Sequence, residues 1–438
     1  MLNTGTKLSD KSFISLSVVI LAAGFGTRSG QTSKPKCLLE FSGAPVLEYM
    51  LNSLSNLPVE EVILVVHFQA DQIIDWVKQN SGRFKFLITP VFELEPRGTA
   101  TSLKLGLKHT SSPDTLLLFG DLVIGARLDK HYLQWKLSSS KVFALTYPNF
   151  HPFESDILEL SFSGEFTFIP KKSNPILKAR NNALSGVYFL DKDYTLKTLE
   201  EINSGDFEPH LILPAISNNL IESERIIGYV KDIGTPQRQL ECEKDLAENV
   251  VKNWNSDSPI CILMDRDSTL CLDPSLHDLS SVERIVFEDA RELLKQANSK
   301  GVPVFIITNQ SRLSKGTLSP SDHMAFVRRL ETELAHSGVF YDDYFFCPHS
   351  EIEDKGGATK YSCVCRKPNP GLVQQIQGKY GIEMNRALLI GDSWRDNELA
   401  QNLQIPFIKV ERDNSKVNLT TLDHPSPIVP EYVWDQIS

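Results

Sequence analysis

Ile260-Cys261-Ile262-Leu263-Met264-Asp265-Arg266-Asp267-Ser268-Thr269 is an apolar run that discharges directly into two carboxylates one residue apart. A short apolar run without alternation is the pattern of a strand buried on both faces, as in a parallel sheet. Side chains alternate along extended chain, so Asp265 and Asp267 project to the same side at the strand's end. Downstream, Phe287 to Ser299 reads as a helix ending near Gly301, Val302 to Thr308 as the next strand and Ala387 to Ile390 as a later one. Upstream, Ser17 to Leu21, Val62 to Val66, Phe84 to Ile88 and Thr115 to Phe119 read as strands with amphipathic segments between them. Strand and helix signals that alternate in this way make an α/β fold around mostly parallel sheets.

At 438 residues the chain exceeds one ordinary core. The pattern breaks between Ala247 and Pro259, where Asn253, Trp254, Asn255, Ser256, Asp257 and Ser258 form a polar stretch. The expected organisation is therefore a domain at 1–246, a linker at 247–259 and a second domain at 260–438. With 45 Lys and Arg against 55 Asp and Glu, the net charge of −10 argues against nucleic acid or an anionic membrane as partner. Anionic small molecules then have to be met by local cations and metal ions. The run Leu16 to Ala23 has no basic region tightly before it and flows into a glycine-rich turn, so it is not read as a secretory leader. No stretch approaches the roughly 20 apolar residues of a membrane span, and the expected location is the cytoplasm. Oligomeric state is left open.

Four of the seven cysteines, Cys37, Cys242, Cys261 and Cys271, stand apart, while Cys347, Cys363 and Cys365 gather around His349. Three thiolates and an imidazole make a closed tetrahedral set for structural zinc, with no position left for catalysis. In the N-terminal half, Leu21-Ala22-Ala23-Gly24-Phe25-Gly26-Thr27-Arg28 places a glycine-rich turn just after a strand. Small residues such as Gly24, Gly26 and Thr27 let backbone N–H groups approach a triphosphate, and Arg28 adds a cation. Lys36, after Pro35, is placed to neutralise charge developing on an α-phosphate.

Together these N-terminal motifs resemble the sugar-1-phosphate nucleotidyltransferases. The likeness extends to Glu95-Pro96-Arg97-Gly98-Thr99-Ala100, Phe119-Gly120-Asp121 and Asp232-Ile233-Gly234-Thr235-Pro236. It implies a Rossmann-like, GT-A-like domain in which Asp121 and Asp232 hold Mg²⁺ against the nucleotide phosphates. It also implies that Gly98, Thr99 and one or both of Lys171 and Lys172 face the substrates. Pro170-Lys171-Lys172 departs from the family's Glu-Lys-Pro, so which lysine meets the sugar phosphate is open.

The C-terminal motifs resemble the haloacid-dehalogenase-type phosphatases, and within them the heptose 1,7-bisphosphate phosphatases and, more distantly, the histidinol-phosphate phosphatases. Asp265-x-Asp267, Thr308-Asn309-Gln310-Ser311, Arg366-Lys367-Pro368 and Gly391-Asp392 follow the family's order. The resemblance implies a doubly wound domain with a zinc-binding loop and no large cap. Asp265 would be nucleophile, Asp267 general acid and base, and Asp265, Asp267 and Asp392 the Mg²⁺ ligands, with Asp396 in support. Thr308, Asn309, Arg366 and Lys367 would meet the substrate. Ser268 and Ser393 depart from the family's glycine and basic residue; a serine costs little unless the backbone needs positive φ.

Read together, the two resemblances imply one bifunctional enzyme. It would remove the 7-phosphate of a heptose 1,7-bisphosphate and transfer a nucleotidyl group to the heptose 1-phosphate, with GTP as donor and ATP, CTP or UTP left open. Another sugar phosphate, or one domain kept as a dead regulatory module, are the competing readings.

Overall fold

The computed structural model describes residues 15–25, 33–161, 163–171, 180–251, 260–280, 282–350, 363–412, 428, 433–434 and 436. The chain divides into two compact units. The first comprises residues 1–145, 186–224 and 231–240, and the second residues 146–185, 225–230 and 241–438.

In the first unit, β1 (Leu16–Ala22), β2 (Val59–Val66), β3 (Leu87–Phe92) and β4 (Asp114–Phe119) form a parallel sheet in the order β4-β1-β2-β3. The helices α1 (Val46–Ser53), α2 (Ala70–Asn80) and α3 (Thr99–Lys108) connect successive strands. The central strand β1 is apolar on both faces because both are covered, and Leu16, Val18, Val19 and Ile20 are wholly buried. From β1 the chain goes to β2 on one side and later returns to β4 on the other. That reversal makes a crevice outside the carboxyl ends of β1 and β4, the usual ligand position in an open α/β sheet. β5 (Ala183–Asp191) runs antiparallel to β4, with Val187 opposite Leu118.

The third strand lies later than its apolar run suggests. Phe84 and Phe86 stack on each other at 5.7 Å, and pairing with β2 begins only at Leu87 opposite Glu61. β3 is the outermost strand of this side, which is why it tolerates Pro90.

In the second unit, β6 (Cys261–Met264), β7 (Val304–Asn309), β8 (Asp343–Cys347), β9 (Ala387–Gly391) and β10 (Phe407–Lys409) form a parallel sheet in the order β8-β7-β6-β9-β10. Alternate residues feed two cores on opposite faces. Ile262, Met264, Val304, Ile306, Leu388 and Ile390 enter one, and Cys261, Leu263, Phe305, Ile307, Ala387 and Leu389 the other. The helices are α4 (Glu288–Lys300), α5 (Pro320–His336), α6 (Gly371–Tyr380) and α7 (Trp394–Leu403). Helix α4 ends where Gly301 takes a left-handed conformation, φ 63°. Late in the chain, Ile428 and Val433 are buried in the first of these cores. Among the described residues no helix is long and apolar enough to cross a membrane.

Candidate active sites and metal centre

Asp265 follows β6 directly and its N–H donates to the Ile390 carbonyl at 2.9 Å, tying the ends of two neighbouring strands together. Lys367 is buried and reaches Asp265 Oδ1 at 2.5 Å, Asp396 Oδ1 at 2.7 Å and the Ile307 carbonyl at 2.8 Å. Asn309 holds that lysine's backbone reciprocally: its amide donates to the Lys367 carbonyl and accepts from the Lys367 N–H, both at 3.0 Å. The carboxylates of Asp265, Asp392 and Asp396 come together with their ligand atoms within 4.8 Å. Gly391 makes this possible, since a Cβ there would lie 2.5 Å from Asp396 Cγ. Ser393 caps α7 and forms a capping box with Asp396, fixing that carboxylate from the other side.

Burial pushes the Asp265 carboxyl well above its ordinary value; Lys367 pulls it down, and Asp396, Asp392 and Asp267 push it up again. Burial, with Asp396 adding to it, raises Asp392 to about 6. Three carboxylates thus share one ammonium, an excess of negative oxygen that suits a hard divalent cation such as Mg²⁺.

Asp267 is held differently. Arg266, 1% exposed, forks onto its two oxygens at 2.7 and 2.8 Å, and Gln310 donates to Oδ2 at 2.7 Å. Gln310 also donates to Thr308 Oγ1 at 3.0 Å, so one amide sets both the second aspartate and the buried threonine. The carboxylate gathered with Asp265 and Asp392 is that of Asp396, while the Asp267 side chain is occupied by Arg266 and Gln310. Burial raises Asp267 above its ordinary value, with Arg266 opposing. Ser268 has φ 58°, so the turn after Asp267 does require the left-handed region.

Cys347 ends β8, and its Sγ lies 3.5 Å from both His349 Nδ1 and Cys363 Sγ. Cys365 Sγ lies 3.3 Å from Cys347 Sγ and 3.4 Å from His349 Nδ1. Cys363 and Cys365 are 2.8 Å apart and not bonded to each other. Zinc bound at about 2.3 Å to each sulfur implies tetrahedral edges of roughly 3.8 Å; Cys347 and Cys365 lie 3.3–3.5 Å from their neighbours in the cluster, a few tenths of an ångström inside that edge, and the Cys363–Cys365 pair is tighter still. Arg366 donates to the His349 carbonyl at 3.1 Å. Most of the loop between His349 and Cys363 lies outside the described residues.

In the first unit, the Gly120 N–H donates to the Leu21 carbonyl at 2.9 Å, and a Cβ on Gly120 would sit 2.4 Å from that oxygen. Only glycine lets the end of β4 lie against the end of β1, which brings Asp121 beside the turn that starts at Gly24. Lys36 donates to Asp121 Oδ2 at 3.0 Å. Asp232 accepts from Arg238 at 2.6 Å and from the Gly234 N–H at 3.2 Å, and the Ile233 N–H donates to the Asp121 carbonyl at 2.9 Å. The two aspartates and Lys36 therefore meet at the carboxyl end of the sheet. Thr99 Oγ1 accepts from the Phe207 N–H at 3.0 Å, and Gly98 packs on the Gly205 backbone. Lys171 belongs to the second unit, where its ammonium is 3.4 Å from Asp156. Gly26, Thr27, Arg28 and Lys172 lie outside the described residues.

Arg266, Gln310 and Arg238 had no assigned role in the sequence. Arg266 and Gln310 sit inside quoted motifs, yet nothing local says that both turn toward Asp267; that depends on β6 and β7 being neighbours.

Residues 18–172 match the family of MobA-like NTP transferase domains, and residues 364–438 a HAD-hydrolase-like family. The chain is 37% identical over 124 residues to a D-glycero-beta-D-manno-heptose-1,7-bisphosphate 7-phosphatase of Rhodopseudomonas palustris, covering 28% of this chain and 68% of that one. It is 32% identical over 148 residues to a probable D-glycero-D-manno-heptose-1,7-bisphosphate 7-phosphatase of Thermoplasma acidophilum, covering 33% of this chain and 86% of that one. The crystal structure of HddC from Yersinia pseudotuberculosis is similar over 52% of this chain and 98% of that one, with 24% identity and a TM-score of 0.42.

Proposed function

As the chain belongs to the D-glycero-D-manno-heptose-1,7-bisphosphate 7-phosphatase family, we propose that its second unit removes the 7-phosphate of that sugar bisphosphate and its first unit activates the resulting heptose 1-phosphate. The observation that carries the reading is the group formed by Asp265, Lys367, Asp392 and Asp396 at neighbouring strand ends, with Asp267 held apart by Arg266 and Gln310.

Asp265 Oδ attacks phosphorus and the phosphorus–oxygen bond to the sugar breaks, leaving an aspartyl-phosphate. Asp267 gives its proton to the departing alkoxide, then takes one from the water that displaces Asp265 and releases inorganic phosphate. Its raised proton affinity suits the first of these tasks. Lys367 and Thr308 receive the phosphoryl oxygens. Asp265, Asp392 and Asp396 would hold Mg²⁺, which supplies charge neutralisation at the phosphoryl group.

In the first unit an oxygen of the sugar 1-phosphate displaces pyrophosphate from the α-phosphorus of a nucleoside triphosphate, GTP in our reading. Positioning and charge neutralisation suffice for this step, and no protein nucleophile is needed. Lys36 neutralises the α-phosphate, and Asp121 and Asp232 would hold Mg²⁺ there. Cys347, His349, Cys363 and Cys365 would hold a structural zinc that pins the segment carrying Arg366 and Lys367.

The test is mass spectrometry of products after incubation with heptose 1,7-bisphosphate, Mg²⁺ and GTP, ATP, CTP and UTP together. One nucleotide-heptose is expected. Intact bisphosphate would refute the phosphatase assignment, and heptose 1-phosphate accumulating beside four unconsumed nucleotides would refute the transferase assignment.

A further inference from the structure

Phe25, His67 and Phe92 form a row of rings that no step above uses. Phe25 follows β1 by three residues, His67 follows β2 directly and Phe92 ends β3. Since β1, β2 and β3 are adjacent, these three residues cap consecutive strands at the carboxyl edge of the sheet. The Phe25 and His67 centroids are 5.2 Å apart and edge-on, and His67 stacks on Phe92 at 5.6 Å. Phe68 adds a tilted contact to Phe25 at 6.2 Å.

The row is fixed but open. His67 Nδ1 lies 2.7 Å from the Glu93 carbonyl, which can only accept, so Nδ1 carries a proton and the ring's orientation is fixed. Glu93 is buried and takes hydroxyl hydrogen bonds from Thr101 and Ser102 at the start of α3. Yet Phe25 is 50%, Phe92 51% and Leu94 81% exposed, an apolar surface of the kind that marks a ligand site when contiguous.

Its place in the sheet selects the ligand. The crevice where the chain reverses lies between β1 and β4, and there Gly24, Lys36, Asp121 and Asp232 gather for phosphates. From that point the aromatic row extends to the β2 and β3 side, beginning one residue past Gly24. The strand β5, with Val187 opposite Leu118, lies across β4 on the opposite side. We propose that Phe25, His67 and Phe92 form the platform on which the nucleobase of the nucleoside triphosphate stacks. The proposal rests on the nucleotidyltransferase reading of the first unit and adds the base-binding wall to it. Stacking tolerates any base, so the platform contributes affinity, while discrimination among bases falls to hydrogen bonds at the ring edges.

The test is isothermal titration of the full chain with Mg²⁺ and each of GTP, ATP, CTP and UTP, and separately with inorganic tripolyphosphate, which has no base. Phe25→Ala and Phe92→Ala are compared with Phe25→Leu and Phe92→Leu, which keep apolar bulk and lose the ring; unchanged thermal midpoints certify folding. The expected result is about a tenfold loss of affinity for the best-bound nucleotide in all four variants, with tripolyphosphate binding unchanged. Equal nucleotide affinity in wild type and variants overturns the platform and leaves the transferase reading standing. A parallel loss of nucleotide and tripolyphosphate affinity overturns it too, since the turn and not the base would then be affected. A variant whose defect appears only in the KM for the sugar 1-phosphate assigns the rings to the sugar and equally overturns the proposal. Wild-type protein that binds none of the four nucleotides removes the transferase reading and the platform together.

Discussion

Ser268 shows how one residue records a compromise at a reactive turn. Its φ of 58° places a side-chain-bearing residue in the left-handed region, which costs about 1 kcal/mol relative to glycine. The turn is nonetheless held, because the Ser268 N–H donates to the Cys271 carbonyl at 2.8 Å and the Cys271 N–H to the Arg266 carbonyl at 3.0 Å. Ser268→Gly should therefore raise stability by up to about 1 kcal/mol, less the extra chain entropy that glycine brings to the unfolded state. Chemical denaturation of both proteins measures this, and a less stable glycine variant would show that the Ser268 side chain contributes more than its backbone costs. Gln310 teaches the complementary lesson. It reads in the sequence as the middle of a polar tetrapeptide, and only the pairing of β6 with β7 turns it onto Asp267 and Thr308.

At the scale of elements, α5 and β8 are bound to residues far upstream in the chain. Glu331 on α5 accepts from Arg180 at 2.7 Å, from the Asn181 N–H at 2.6 Å and from Tyr341 at 2.6 Å. Asp343 at the start of β8 accepts from Lys379 at 3.0 Å and Tyr380 at 2.9 Å, with Arg225 3.9 Å away. Burial pushes the Asp343 carboxyl up, but Lys379 and Arg225 more than reverse this and hold it well below the usual carboxylate range. A depressed folded-state value means that this carboxylate stabilises the fold fully above its unfolded value of about 3.9, and progressively less as pH falls through the folded-state value. Asp343→Asn should cost roughly 3 kcal/mol at pH 7, level down to about pH 5, with the deficit shrinking below pH 4. Denaturation curves at several pH values check this, and a deficit that grows toward acid would reverse the assigned sign. With zinc bound, the cysteine cluster would be a second cross-link of the same unit, from the end of β8 to the segment before α6. Elemental analysis of undenatured protein should find one zinc per chain. Stripping it should lower the thermal midpoint, with recovery on re-addition, because structural zinc binding is folding free energy. Zinc-free protein with an unaltered melt would end that reading.

Taken as a whole molecule, the chain carries a net charge of −10, and cations stand among the site carboxylates of both units: Lys36 and Arg238 in one, Arg266 and Lys367 in the other. Each unit holds its own set of reactive groups, so the activities should separate by mutation. Asp265→Asn should lower phosphate release by at least a thousandfold and leave nucleotidyl transfer to supplied heptose 1-phosphate intact. Lys36→Ala should lower transfer by about a hundredfold, the scale of one lost charge-stabilising contact, with phosphate release unchanged. Paired assays on both proteins decide it; joint loss in either variant would contradict two self-contained sites. The sequence alone determined the α/β class and the strands β1, β2, β4, β6, β7 and β9 to within a few residues, and it picked out Lys36 and Asp121, and Asp265, Lys367 and Asp392, as candidate positions that the fold brings together. These are local properties: apolar runs buried on both faces, and polar residues placed where such runs end. Only the tertiary structure decided which carboxylates meet, that Asp396 joins Asp265 and Asp392 while Asp267 turns to Arg266 and Gln310, and that residues 180 and 225 pair with α5 and β8. It also decided that Phe25, His67 and Phe92 stand in one row. Those facts depend on strand order and on close approaches such as those at Gly120 and Gly391, and contacts between residues 20 to 150 apart leave no periodic signature in the chain.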